Sequence, residues 1–110
     1  MITIKDLMTI ERILLEIYTK HKFELDFNTV YKLYDYLMVI GRITNYSFQI
    51  QEEYFQAIKD EEKMKAFHEK VLNGKVEYDW IETTTFIDKV VDELNNDEIN
   101  KIVNNLRFWY

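Results

Sequence analysis

Apolar residues recur at steps of three and four along most of this chain, a spacing that predicts amphipathic helices. The first predicted helix covers Asp6–Thr19, where Leu7, Ile10, Leu14 and Ile17 form a single apolar stripe. After it, the periodicity stops for six residues, which predicts a connector before the next helix.

A second and much longer helix is predicted over Asp26–Lys59. Asp26 and Asn28 are both residue types that favour the N-cap position. The segment carries two apolar stripes instead of one. The first stripe is Phe27, Val30, Tyr34, Leu37, Gly41, Phe48, Phe55 and Ile58. The second stripe is Leu33, Tyr36, Ile40, Ile43, Ile50 and Tyr54.

A helix that is apolar on two sides must be covered on both, either inside its own domain or by another subunit. We therefore assign Tyr36, Ile40 and Ile43 of the second stripe to a partner-binding surface, and a homodimer is one expected use of it. Gly41 lies inside this helix, where glycine costs about 1 kcal/mol relative to alanine. This cost predicts either a close approach of another helix or a break in the long one.

Polar residues dominate the next segment, Asp60–Asn73, which predicts the outer end of the long helix or a separate third helix. Gly74 then marks its end, since glycine is favoured just beyond a helix. The alternating segment Lys75–Asp79 predicts a half-buried strand, and Ile2–Lys5 is its expected partner. The Asn-Gly step is thus interpreted as a helix end and not as a hairpin turn.

Two further helices are predicted near the C-terminus. The run Thr83–Thr85 offers an N-cap for the first, Asn95–Asp97 interrupts it, and Glu98–Leu106 forms the second. The expected fold class is therefore mostly α: one domain over residues 1–110, a small helical bundle around one long central helix, with a minor two-stranded β ribbon.

Composition narrows the functional classes. The chain has no cysteine and no proline, 15% aromatic residues and a net charge of −6. The acidic excess lies wholly in residues 51–110, and no basic patch is visible, so direct nucleic-acid binding is not expected. No apolar run has the roughly 20 residues of a membrane span, and the expected location is the cytoplasm.

No catalytic motif is visible, so the chain is not expected to be an enzyme or to need a cofactor or metal. His21 and His68 are interpreted as structural or solvated side chains, because neither has the neighbours of a zinc or acid–base site. Paired carboxylates recur in polar stretches and are interpreted as surface groups: Glu52–Glu53, Asp60–Glu62, Asp92–Glu93 and Asp97–Glu98.

Two further features are candidates for partner binding. Asp60, Glu61 and Glu62 belong to the acidic half, which could imitate a row of nucleic-acid phosphates and occupy a partner's basic groove. The terminal aromatics Phe108, Trp109 and Tyr110 could insert into a partner's pocket or fold back onto the core. Both alternatives stay open for each feature.

The order of features resembles that of short tailed-phage proteins of unknown function. The matching residues are Ile2 and Ile4, the Asn73–Gly74 step, and the late pairs Glu93–Leu94 and Glu98–Ile99. This resemblance spans about residues 1–100 and implies a phage or prophage origin. It implies no activity.

The expected function is a non-enzymatic protein–protein interaction module that binds itself, a host protein or a phage protein. One alternative is an acidic anti-defence inhibitor, similar to an anti-CRISPR or a DNA mimic, that binds a host nucleic-acid-binding protein. A second alternative is an enzyme with a carboxylate-bound metal.

Overall fold

The computed structural model describes residues 1–95 and 97–106, without the side chains of residues 102, 105 and 106. Five α-helices and two short strands make up this part of the chain. The elements are β1 (Ile2–Thr3), α1 (Ile4–His21), α2 (Phe27–Ala57), α3 (Glu61–Leu72), β2 (Lys75–Val76), α4 (Trp80–Leu94) and α5 (Asp97–Leu106). A 3₁₀ turn, Lys22–Glu24, connects α1 to α2. The predicted mostly α class is confirmed.

Four helices begin with the same capping device. The side-chain oxygen of Thr3, Asp26, Asp60 or Asp79 accepts a hydrogen bond from the backbone N–H three residues later, at 2.8–3.2 Å. This bond satisfies one of the N–H groups that a helix leaves unpaired at its start. The sequence predicts Asp26 as one of two candidate N-caps of the long helix, and the structure confirms it.

The core is built around α1, which contributes more fully buried side chains than any other helix. Leu7, Ile10, Leu14 and Ile17 of the predicted stripe all have an exposed fraction of zero. Three other helices add smaller sets of buried apolar residues to the same cluster: Leu33 and Ile40 from α2, Ile87, Val90 and Val91 from α4, and Ile99 and Val103 from α5.

The long helix α2 runs the length of the molecule and organises its neighbours. The described chain measures 48 × 24 × 24 Å, and a helix of 31 residues spans about 46 Å. Tyr34 meets Tyr18 of α1 with ring centroids 5.8 Å apart. On the other flank, Tyr36 contacts Phe86 of α4 at 5.2 Å and donates a hydrogen bond to Glu82 at 2.9 Å.

The predicted β ribbon forms, but it is shorter than expected. Ile2 pairs with Val76 and Thr3 with Lys75 in antiparallel register. It stops there because Thr3 is already the cap of α1, and the N–H of Ile4 donates to the carbonyl of Gly74 at 2.9 Å. The Asn-Gly step ends α3 and leads into β2, as predicted, and no hairpin joins the two strands.

The two alternatives for the polar segment after α2 are resolved in favour of a separate helix. The chain leaves helical geometry at Ile58, and Asp60 caps the new helix α3. Gly41, in contrast, causes no break, since α2 is continuous through it.

The predicted role of Thr83–Thr85 as an N-cap is wrong. The helix begins three residues earlier, at Trp80, with Asp79 as its cap. Thr83 and Thr84 are instead buried inside α4, where each hydroxyl donates to a backbone carbonyl of the preceding turn at 3.1–3.2 Å. Such a hydrogen bond satisfies the hydroxyl group of a threonine inside a helix. A run of threonines therefore does not by itself indicate where a helix begins.

Candidate interaction surface

The side of α2 that points away from the core carries two adjacent rows of side chains at four-residue steps. We call these two rows together the outer face of α2. Residues four apart lie one above the other on a helix, so each row forms a ridge along its surface. The first row is Phe27, Tyr31, Asp35 and Val39. The second row is Tyr34, Met38, Arg42, Tyr46 and Ile50.

Every apolar side chain of the outer face is exposed. The exposed fraction is 77% at Phe27, 67% at Tyr31 and 63% at Tyr46, and even the least exposed, Val39, reaches 38%. A surface helix normally carries charged and polar residues opposite the core. The outer face of α2 therefore departs from the usual pattern along more than 20 residues.

Only two residues of the outer face are charged, Asp35 and Arg42, and both are exposed. They are seven residues apart, which places them two turns from each other near the middle of the helix. Neither forms an ion pair with another residue in the described part of the chain. Their charges are therefore available to a molecule that covers this face.

The opposite side of α2 is the one that faces the core. Leu33 and Ile40 are completely buried and Thr44 nearly so, while Tyr36 and Ile43 are partly buried against the same cluster. All of these residues except Thr44 belong to the second predicted stripe, of which Tyr36, Ile40 and Ile43 are the residues assigned to a partner. Ile40 is buried inside its own chain and is not available to a partner while this fold persists. Tyr36 packs on Phe86 of α4, and Ile43 is partly buried against the core cluster.

A groove of about 880 Å³ runs beside the outer face, between α1 and α2. Leu15, half exposed, and Tyr18 form its α1 wall, and Tyr34 and Met38 of the outer face form the α2 wall. The Nζ atom of Lys22 lies 4.7 Å above the ring of Tyr18. The exposed apolar surface thus continues from α2 onto α1.

Glu11 is the carboxyl group that lines this groove. Partial burial raises its pKa above the usual range, and a hydrogen bond from the hydroxyl of Thr44, at 3.5 Å, opposes that effect. A Cβ atom on Gly41 would lie 3.6 Å from the Glu11 carboxylate, an ordinary van der Waals distance. The predicted close approach at Gly41 is therefore an approach of this side chain and leaves room for a methyl group.

The acidic candidates lie at the start of α3. Asp60 is its N-cap, and Glu61 and Glu62 are exposed in its first turn, where negative charge interacts favourably with the helix dipole. Lys63 and Lys65 follow directly and are also exposed. The local structure accounts for all three acidic residues as helix-starting groups beside compensating lysines.

The terminal aromatics Phe108, Trp109 and Tyr110 lie outside the described residues, so their two alternatives stay predictions. The paired carboxylates predicted to be surface groups are all exposed. Among the described residues, no three His, Asp or Glu side chains converge closely enough to hold a metal ion.

The two histidines each have one close polar neighbour. His21 is buried at the end of α1, with Nδ1 2.6 Å from a carboxylate oxygen of Glu24. His68, in α3, has Nδ1 2.6 Å from the amide oxygen of Gln51 in α2. Both contacts join a helix to its neighbouring segment, in keeping with the structural role predicted for these residues.

Four apolar residues of the outer face are in neither predicted stripe: Tyr31, Met38, Val39 and Tyr46. Each predicted stripe follows steps of three, four or seven residues, and such steps stay on one side of a helix along its axis. A search for apolar residues at multiples of four would have found them. Tyr31 follows Phe27 by four residues, and Tyr46 follows Met38 by eight.

The chain matches no protein-family model, no curated protein and no solved structure. None of the described helices has both the length and the apolar character needed to cross a bilayer.

Proposed function

We propose that this protein is a non-enzymatic protein–protein interaction module and that the outer face of α2 is its binding surface. The observation that carries the proposal is the contiguous exposure of seven apolar side chains on one face of a long helix. Isolated exposed apolar residues are ordinary on protein surfaces, but contiguous patches mark sites of association.

The size of the patch supports this proposal. A fully accessible aromatic residue offers roughly 150–250 Å², so the exposed fractions of Phe27, Tyr31, Tyr34 and Tyr46 correspond to roughly 500 Å². Met38, Val39 and Ile50 extend the patch further. The total approaches the ~800 Å² that each partner buries in an interface of standard size.

The residue types also suit a binding surface. Tyrosine and methionine are enriched at interfaces, because they combine a large contact area with a polar or adaptable group. The outer face has three tyrosines and one methionine among its nine positions. A phage or prophage origin and a cytoplasmic location remain proposals alongside this function.

A photo-crosslinking residue at Tyr46 tests the proposal in cells that carry the gene. We expect covalent adducts larger than the 13.5 kDa chain, and fewer of them when the neighbouring Tyr31 is changed to lysine. The control places the same crosslinker at Lys70, an exposed residue of α3 outside the outer face. The proposal is abandoned if the crosslinker yields no adduct at position 46 and none when it is moved to position 31, either with another copy or with another protein.

A further inference from the structure

We infer that the outer face of α2 binds the same face of a second copy, with the two α2 helices antiparallel and crossing between Met38 and Val39. This inference rests on the proposed function, because it names the partner of that surface. Its basis is the self-complementary order of the residues on the face.

Eight of the nine positions of the outer face read as a palindrome in residue character, whereas the ninth, Tyr34, would pair with position 43, which lies outside the face. About the midpoint between Met38 and Val39, Phe27 is as far on one side as Ile50 is on the other, and Tyr31 matches Tyr46 in the same way. All six of these side chains, the central pair included, are apolar or aromatic and exposed. An interface with twofold symmetry requires this property, since each residue must suit its counterpart in the other copy.

The two charged residues determine whether the two α2 helices pair in a parallel or an antiparallel orientation. Asp35 and Arg42 are equidistant from the same midpoint, so an antiparallel pair of helices places each Asp35 opposite the Arg42 of the other copy. The dimer then contains two such ion pairs. A parallel pair in register would instead place like charges together, Asp35 beside Asp35 and Arg42 beside Arg42, which is destabilising. The two charged residues therefore select the antiparallel arrangement.

Helix geometry permits this contact. Each row of the outer face follows the four-residue steps that form a ridge, and the twofold axis exchanges the first row with the last four residues of the second row, from Met38 to Ile50. Ridges of this kind pack into each other's grooves when two helices cross at about 50°. At that angle, the central residues Met38 and Val39 of both copies form the middle of the contact, and the two helices diverge toward Phe27 and Ile50.

The expected strength is moderate. The available area is near the lower end of the range for stable dimers, and association must also offset the loss of side-chain and overall freedom. We expect a dissociation constant in the micromolar range. Monomer and dimer are then both populated at concentrations that ultracentrifugation covers.

Charge exchange in the purified, full-length protein tests the pairing. Wild type should sediment as a concentration-dependent mixture of 13.5 kDa monomer and a dimer of twice that mass. D35R alone and R42D alone should each raise the dissociation constant at least about tenfold, because each variant places like charges opposite each other twice. The double variant D35R/R42D should restore dimerisation, and so should a mixture of the two single variants.

This restoration separates a specific pair from a general loss of stability. All four proteins should have the same helix content by circular dichroism, since both residues are exposed. K63E, in α3 outside the outer face, is the control for a change in charge and should dimerise as wild type does.

The outcomes distinguish the inference from the proposed function. If wild type stays monomeric up to submillimolar concentration while the Tyr46 crosslinker captures a different protein, the second copy is not the partner and the binding surface stands. If wild type is monomeric and no adduct forms, both fail. If wild type dimerises but D35R/R42D does not recover from the single changes, the antiparallel pairing is wrong.

Discussion

The ring of Tyr54 stacks on the ring of Phe67, with centroids 4.0 Å apart and planes 6° from parallel. This contact joins the last turns of α2 to α3. No side chain of α3 is fully buried, although Phe67 and Met64 are partly so. The stack therefore helps to attach α3, whose other inward apolar side chains, Met64, Val71 and Leu72, are also only partly buried.

The substitution F67A should destabilise the protein by roughly 2 kcal/mol, because it removes half-buried apolar area and an aromatic pair. Urea unfolding monitored by circular dichroism measures this change. Y54F, which keeps the ring, is the control and should cost less than about 0.5 kcal/mol. An equal loss in both variants would mean that the phenol hydroxyl, and not the stacked rings, attaches α3.

Replacing Gly41 by alanine should stabilise the protein. Gly41 has ordinary helical geometry, and the added Cβ would meet the Glu11 carboxylate only at 3.6 Å. Alanine in a helix interior is favoured over glycine by about 0.5–1 kcal/mol. Calorimetry should show Tm raised by roughly 3–6 °C.

Gly74 provides the matched comparison. A Cβ there would lie 3.2 Å from the carbonyl oxygen of Val71, which is closer than most real contacts, and that oxygen already accepts the N–H of Gly74. G74A should therefore lower Tm. If both alanine substitutions shift Tm in the same direction, the difference in space between the two sites is not what controls their effect.

The contribution of Glu11 to the free energy of unfolding should decrease as pH rises. Burial raises the pKa of this carboxyl group above its ordinary value of 4.5, so the folded state holds the proton more tightly than the unfolded state does. The folded state consequently loses stability as pH rises from 4.5 through the raised folded pKa, and the loss is complete above it. E11Q removes the titration and should show no such decrease.

Urea unfolding of wild type and E11Q across this pH window tests the point, since groups common to both proteins cancel in the difference. The free energy of unfolding of E11Q minus that of wild type should increase with pH. A constant difference would show that Glu11 titrates alike in the folded and unfolded chain.

We expect Asp60 to stabilise α3 as its N-cap, whether or not a partner is bound. D60A removes the acceptor for the N–H of Lys63 and should cost about 1 kcal/mol, whereas D60N retains an acceptor and should cost only a few tenths. Thermal unfolding separates the two. E61Q/E62Q, which leaves the cap intact, is therefore the appropriate variant for testing an acidic binding role, and unchanged partner binding in it would exclude that role.

Local signals along the chain were sufficient to predict most of the elements. Asp26 and the Asn73–Gly74 step each act through neighbours within one turn, and the helix boundary that each predicted is present. The predicted end of α4 at Asn95 is also present, but α5 begins at Asp97, one residue before the predicted Glu98. The boundary at Thr83 was wrong because Asp79 competes for the same role four residues earlier, and a buried threonine hydroxyl can bond back to its own helix.

The orientation of α2 could not be predicted in the same way. Its apolar residues surround much of the helix, so periodicity identifies a helix without indicating which side α1 and α4 will cover. Packing buries Leu33 and Ile40 and leaves Tyr31, Met38 and Tyr46 exposed. The helical period is a property of the local backbone, whereas burial depends on contacts between residues far apart in the chain.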